Sequence, residues 1–170
     1  MSEENKALAR RAWDEIFNQR NLDFFDAVSV ADAIWHEPDR EFQGTEEIKQ
    51  LSAGFLEAFP DLNVTVEDVL AEGEQVAVRW TQRGTHQGEM ERLGPPTGRS
   101  FELEGITIHR FEGDKIAETC ERYDNLSLLQ QLGLAPEPGE EEPGAPAAAE
   151  GEREEEKGLL DKAKDKLTGQ

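Results

Sequence analysis

The residues best placed for chemistry sit in the last two extended segments, around His109, Glu118, Arg122 and Asp124. A two-residue turn at Gly113-Asp114 would fix the register of that hairpin. Glu112 then faces Lys115, Phe111 faces Ile116, His109 faces Glu118, Thr107 faces Cys120 and Leu103 faces Asp124. Side chains alternate between the faces of a strand, so one face is expected to hold Leu103, His109, Phe111, Ile116, Glu118, Cys120, Arg122 and Asp124. Glu104, Ile108, Arg110, Ala117, Thr119, Glu121 and Tyr123 fall on the other. An apolar wall with a histidine, two carboxylates and a guanidinium has the make-up of a small-molecule pocket. The plainer reading pairs Glu118 with Arg122 structurally and leaves Asp124 to cap the segment that begins at Asn125.

Other chemistries find less support. The three histidines and scattered carboxylates lack zinc-ligand spacing, so no metal is expected. Cys120 has no evident activating neighbour and reads as a small apolar wall residue rather than a nucleophile. Neither a phosphate loop nor a dinucleotide fingerprint is present.

The elements that must position these residues follow from periodicity. Ser2-Glu3-Glu4 suits a helix start, and Leu8, Ala12, Trp13, Ile16 and Phe17 continue a helical stripe to about Gln19. Asn21 is a candidate cap for a shorter helix carrying Leu22, Phe24, Phe25 and Val28. Ala33-Ile34-Trp35-His36 is a short apolar step ending before Pro38. A third helix is expected from near Thr45 to Pro60, with Ile48, Leu51, Phe55 and Phe59 on one side. From Asp61 the period becomes alternating: Val64 and Val66, then Val76, Val78 and Trp80, then 101–111 and 115–123. The spacing predicts an α+β domain over 1–135, three helices packed on one face of a strongly curved antiparallel sheet.

After Ala135 the composition changes. Residues 136–157 are a Pro/Gly/Ala/Glu linker with nine Glu against Arg153 and Lys157, expected to be disordered. Residues 158–170 carry Leu159, Leu160, Ala163 and Leu167 on one stripe, at most a short amphipathic helix. The tail admits a solubilising role or a docking role toward a protein partner. The net charge of −20 divides into −14 for 1–135 and −6 beyond, so nucleic acid and anionic membranes are unexpected partners. One cysteine, no signal-like N-terminus and no long apolar run lead to an expected cytoplasmic location.

Four pieces follow in order: Gly84-Thr85-His86-Gln87-Gly88, Gly94-Pro95-Pro96-Thr97-Gly98-Arg99, Gly105-Ile106-Thr107-Ile108-His109-Arg110-Phe111, and Asp124-Asn125-Leu126-Ser127-Leu128-Leu129-Gln130-Gln131-Leu132-Gly133. Over roughly residues 4–134 this resembles the SnoaL-like polyketide cyclase (ester cyclase) family of the nuclear transport factor 2-like superfamily. The resemblance implies a cone-shaped domain, usually a homodimer, with a hydrophobic cavity between sheet and helices. It also implies cofactor-free intramolecular aldol closure of a small carbonyl-rich substrate. On the matching positions, Asp124 would be the base, with a pKa raised by the cavity, and His109, His86 and Arg122 would be the donors. Trp35, His36, Phe55, Phe59, Trp80, Leu103, Phe111, Glu118 and Cys120 would form the substrate-binding wall. Thr119-Cys120 departs from the His-Trp pair of many members, which alters that wall. A non-catalytic binding module with the same pocket remains the alternative.

Overall fold

The computed structural model describes residues 2–136. The expectations for 137–157 and 158–170 lie outside the described residues. Helix α1 (Ser2–Trp13) has Glu3 and Glu4 in its first turn and Arg10 and Arg11 in its last, each favourable to the helix dipole. It runs into a π-helical turn, Asp14–Asn18, that buries Ile16 and Phe17. A short helix α2 (Phe24–Val28) follows. Asn21 does not cap it: the N-cap position is Asp23, and the Asn21 amide donates to Glu15 (3.2 Å). Then come β1 (Ser29–His36), β2 (Glu41–Gln43) and α3 (Thr45–Ala58). Helix α3 stops just short of Pro60, which cannot continue the ladder.

The remaining strands are β3 (Asn63–Glu72), β4 (Gln75–Thr85), β5 (Ser100–Glu112) and β6 (Lys115–Tyr123), and α4 (Asn125–Gln131) closes the domain. The six strands form one curved, unclosed sheet in the order β2-β1-β6-β5-β4-β3. Every pairing is antiparallel except β1 with β6, which is parallel. An all-antiparallel sheet was therefore not quite the right expectation. Strand β1 arrives from the helical region and lies along the far side of β6, a long-range pairing that local periodicity does not encode.

The expected register of the final hairpin is corrected by one residue. Glu112 pairs with Lys115 and Phe111 with Ile116, but Arg110 then pairs with Glu118, leaving Ala117 as a bulge. Beyond it His109 faces Thr119, Ile108 faces Cys120, Thr107 faces Glu121 and Ile106 faces Arg122. A one-residue slip exchanges the faces of a strand. On β5 the expected inward set holds, with Leu103, Thr107, His109 and Phe111 buried. On β6, Thr119 and Glu121 are buried, whereas Arg122 is exposed and Glu118 and Cys120 are half-buried.

Gly105 sets how the core meets the sheet. A Cβ there would lie 2.2 Å from the Trp80 indole, so only glycine lets that ring lie flat across β5. The indole N–H donates to the Thr107 hydroxyl at 2.9 Å, and the ring packs on Trp13 (5.4 Å) and Tyr123 (6.4 Å). Gly105→Ala is expected to displace Trp80 and cost about 2 kcal/mol. Urea denaturation with tryptophan emission as the signal checks this; an unchanged midpoint would mean that the ring has room to move.

Candidate functional site

Between the inner face of the sheet and the helices lies a cavity of about 70 Å³. It is several times what one ordered water needs. Its walls are largely apolar, including Phe17, Trp35, Leu51, Phe55, Trp80, Leu93, Leu103 and Leu128. Its polar groups are Glu37, Ser52, Gln82, Arg92, Glu121, Tyr123 and Asn125. A few polar groups converging on an apolar lining is the composition of a ligand site.

Glu121 is the most perturbed of these groups. The bulge at Ala117 turns it inward, where it is 6% exposed. The Trp35 indole N–H donates to its Oε2 at 3.2 Å, and the Thr107 hydroxyl bonds its carboxylate. Burial pushes its pKa up to about 8, the negative charge of Glu37 adds to the rise, and the bonds from Trp35 and Thr107 oppose it. At neutral pH this carboxyl keeps its proton for most of the time.

Glu37 follows β1 directly and is a second buried carboxyl, its side chain 10% exposed. Burial raises its pKa, but Arg92 opposes the rise, with Nη1 2.7 Å from its Oε2. Arg92 comes from the loop between β4 and β5, and its Nη2 donates to both oxygens of Asp39 at 2.9 and 3.1 Å. The guanidinium thus ties that loop to the turn after β1. Tyr123, also cavity-lining, has its phenol pKa raised first by burial and then by Glu37, with Arg92 opposing.

Of the sequence-derived residues, Trp35, Phe55, Trp80 and Leu103 line the cavity. Phe59 lies behind that wall, stacked near His86 (5.4 Å) and Phe101 (4.9 Å), and Phe111 is buried in the core at 1% exposure. His109 is buried too. Its Nδ1 meets the Thr119 hydroxyl at 2.9 Å, its Nε2 has no partner, and burial drives its pKa down to about 4, so it is neutral. His86 is fully buried in the loop after β4, with the Thr97 backbone N–H donating to Nδ1 at 3.3 Å. That bond leaves the proton on Nε2, and burial lowers the pKa of this imidazole as well, opposed by an interaction with the Gly88 backbone. Neither histidine lines the cavity.

The remaining candidates lie elsewhere because of the bulge. His36 bridges Glu41 (Nδ1, 3.0 Å) and Glu118 (Nε2, 3.0 Å) on the outer side of the sheet. Glu118 also accepts from Arg110 Nε at 3.0 Å, and that bond, with the one to His36, holds its pKa below the usual carboxylate range. The expected Glu118–Arg122 pair does not form. Arg122 instead donates to the carbonyls of Glu121 (2.6 Å) and His36 (3.4 Å). Cys120 sits half-buried on the same outer side, opposite Ile108. Asp124 is exposed and caps α4, accepting from Ser127 N–H at 2.9 Å, which is the plainer of the two roles set out for it. Glu37, Glu121, Arg92, Tyr123 and Gln82 were absent from the expected site. Glu37 was legible, since alternation from an inward Trp35 points it inward as well.

No group of three metal-ligating side chains occurs among the described residues, and no helix among them is long and apolar enough to cross a membrane. The fold is shared with solved structures. A candidate SnoaL-like polyketide cyclase from Jannaschia sp. CCS1 superposes with a TM-score of 0.73 at 22% identity, over 79% of this chain and 95% of that one. AclR, a candidate hydroxylase from Streptomyces galilaeus, is 31% identical with a TM-score of 0.67, over 80% of this chain and 100% of that one. IdmH from Streptomyces antibioticus, a candidate polyketide cyclase, is 29% identical with a TM-score of 0.63, over 76% and 98%. No curated protein sequence matches the chain significantly. Residues 7–132 match the SnoaL-like polyketide cyclase family, and with the cavity and sheet described above this chain belongs to that family.

Proposed function

We propose that the cavity carries out acid–base chemistry of the intramolecular aldol type on a small, uncharged, carbonyl-rich substrate, using protein side chains alone. The observation that carries this reading is the pairing of two unlike carboxyls in one apolar cavity. Burial raises the pKa of both, Glu121 to about 8, but only Glu37 has an ion pair, with Arg92, that opposes the rise and favours its charged form. A cation beside one of two buried carboxyls and none beside the other sets a base against an acid. In this reading the Glu37 carboxylate removes a proton from a carbon flanked by carbonyls. The resulting carbanion attacks a second carbonyl carbon, and Glu121 protonates the oxygen that becomes the hydroxyl. The proton on Glu37 then returns to Glu121 through solvent, so the reaction is a net isomerisation. In this reading the cavity-lining phenol of Tyr123, itself bonded to Arg92, holds the enolate oxygen. A charged substrate fits less well, because Arg92 is already shared between Glu37 and Asp39.

The outer face of the sheet supports a second proposal, pairing of two copies. Ile106 and Ile108 are 49% and 41% exposed, and Leu70, Ala77, Ile108 and Cys120 stand in one cross-strand row. Ala117, once expected on this face, is buried at the bulge. Ile108→Lys is expected to convert a dimer to monomers in light scattering; an unchanged mass would remove this face as the interface.

Glu121→Gln should abolish turnover while the fold persists. The parent's rate should fall as pH rises through about 8, where the catalytic acid loses its proton. Asp124→Asn should keep both activity and stability, since asparagine caps a helix as well as aspartate. The reverse pattern, with Asp124→Asn inactive and Glu121→Gln active, would return the base role to Asp124. Ligand bound by both variants and recovered unchanged from the parent would instead mark a binding module.

Stability supplies a separate readout. The folded pKa of Glu121, about 8, lies well above the ordinary carboxyl value of the unfolded chain, so the folded state binds more protons between the two. Stability therefore falls as pH rises through that window. Glu121→Gln removes this loss and should be more stable than the parent above pH 8, by up to about 5 kcal/mol, with little difference at pH 4. Parallel melting curves at both pH values would show that Glu121 is not buried in solution.

A further inference from the structure

Gln82 lines the same cavity from β4 and is only 6% exposed. Among the described residues its side-chain amide has no hydrogen-bond partner, nor has the hydroxyl of Ser52, a cavity-lining residue of α3 that is 4% exposed. Folded proteins rarely leave buried polar side chains unpaired. An amide that faces a cavity and has no protein partner is available to a ligand.

The strand ladders locate this amide relative to the acid. Glu121 pairs with Thr107, Thr107 with Val78, and Gln82 lies four residues beyond Val78 on β4. That is about 13 Å along the strands and roughly 10 Å across two of them. Between the two levels lies the Trp80 indole, whose only N–H is already given to Thr107. The cavity thus has an acidic end at Glu121, a flat aromatic floor, and an amide end at Gln82. One substrate oxygen cannot reach both ends.

We infer that Gln82 is a specificity-determining residue that hydrogen-bonds a second oxygen of the substrate, at the end of its skeleton remote from the reacting carbonyl. This rests on the acid–base reading of the cavity and adds a demand to it: the substrate is flat, uncharged and oxygenated at both ends. An amide can donate to a carbonyl or accept from a hydroxyl, so either oxygen function satisfies it. By fixing the far end, Gln82 sets which carbon is presented to Glu37 and Glu121.

The test uses two flat probes, 2,6-dihydroxynaphthalene with oxygens at both ends and 2-naphthol with one, bound to the full chain and followed by equilibrium dialysis. The parent should bind the diol about tenfold more tightly than the mono-ol, the effect of one buried hydrogen bond. Gln82→Met, near in shape but without the amide, should bind both probes at the mono-ol level. Glu121→Gln should keep the preference, because the far contact involves no proton transfer. Should Gln82→Met fail to fold, Gln82→Asn, which retracts the amide by one methylene, should narrow the preference. A parent that binds both probes equally or not at all, or a Gln82 variant that retains the full preference, overturns the inference. A Gln82-dependent preference in a protein whose turnover survives Glu121→Gln would leave it standing and sink the acid–base assignment alone.

Discussion

The bulge at Ala117 governs what this cavity can do. Without it, strict pairing from the Gly113-Asp114 turn would point Glu118, Cys120 and Arg122 inward and send Glu121 and Tyr123 to the outer face. With it, Ile116 and Ala117 are both buried, and every later residue of β6 changes sides. One unpaired residue in the ladder thus moves a carboxyl into an apolar enclosure. The same slip leaves Glu118 outside, in a chain of Glu41, His36, Arg110 and Glu112. That chain is partly exposed, and pairs of this kind add little to stability.

What keeps Glu121 in place is a set of bonds that would be wasted on an apolar residue. Gly105 admits the Trp80 ring, Trp80 donates to Thr107, Thr107 bonds Glu121, and Trp35 donates to the same carboxylate. Both indoles are donors only, so the carboxyl must act as acceptor toward Trp35. These bonds favour the charged form, yet burial outweighs them and the pKa still rises. A leucine at this position would escape both the desolvation cost and the pH sensitivity. Retaining a carboxyl where an aliphatic side chain would be more stable fits the trade between stability and activity expected of a working site.

Much of the scaffold was legible in the sequence because its signals are local. The stripe from Leu8 to Phe17, the run from Ile48 to Phe59 ending at Pro60, and the alternation of Val76, Val78 and Trp80 each specify an element and its buried face. On β5 the alternation is strict, and its inward set is as read. Strand β6 is different. Its two faces, Glu118, Cys120 and Arg122 against Thr119, Glu121 and Tyr123, are similarly mixed in polarity, so hydrophobicity cannot choose between them. Only the adjacent apolar pair Ile116-Ala117 hints at a bulge. The three-residue β2 is too short to show a period, and the parallel seating of β1 on β6 depends on contacts more than 80 residues apart in the chain, which no local pattern reports. Asp124 shows the opposite difficulty. Its cap role was readable from Asn125 onward, but a family-based expectation gave the same residue a catalytic role.

The charge of the domain bears on the kind of molecule that can enter. Residues 1–135 carry −14, and the groups around the cavity do not reverse this locally. Arg92 is the cavity's one cation among its lining residues, and Glu37 and Asp39 neutralise it. Were Glu121 ionised as well, the enclosure would hold an uncompensated negative charge in a poorly solvated space, which is costly. Holding its proton resolves that conflict and supplies an acid at the same time. An anionic substrate would meet an acidic surface outside and no free cation within. A neutral one loses little on entry and finds hydrogen-bonding groups at both ends of an aromatic floor. The electrostatics that raise the pKa of Glu121 therefore also disfavour charged ligands, so under the proposed acid–base reading proton donation and substrate choice would follow from the same burial.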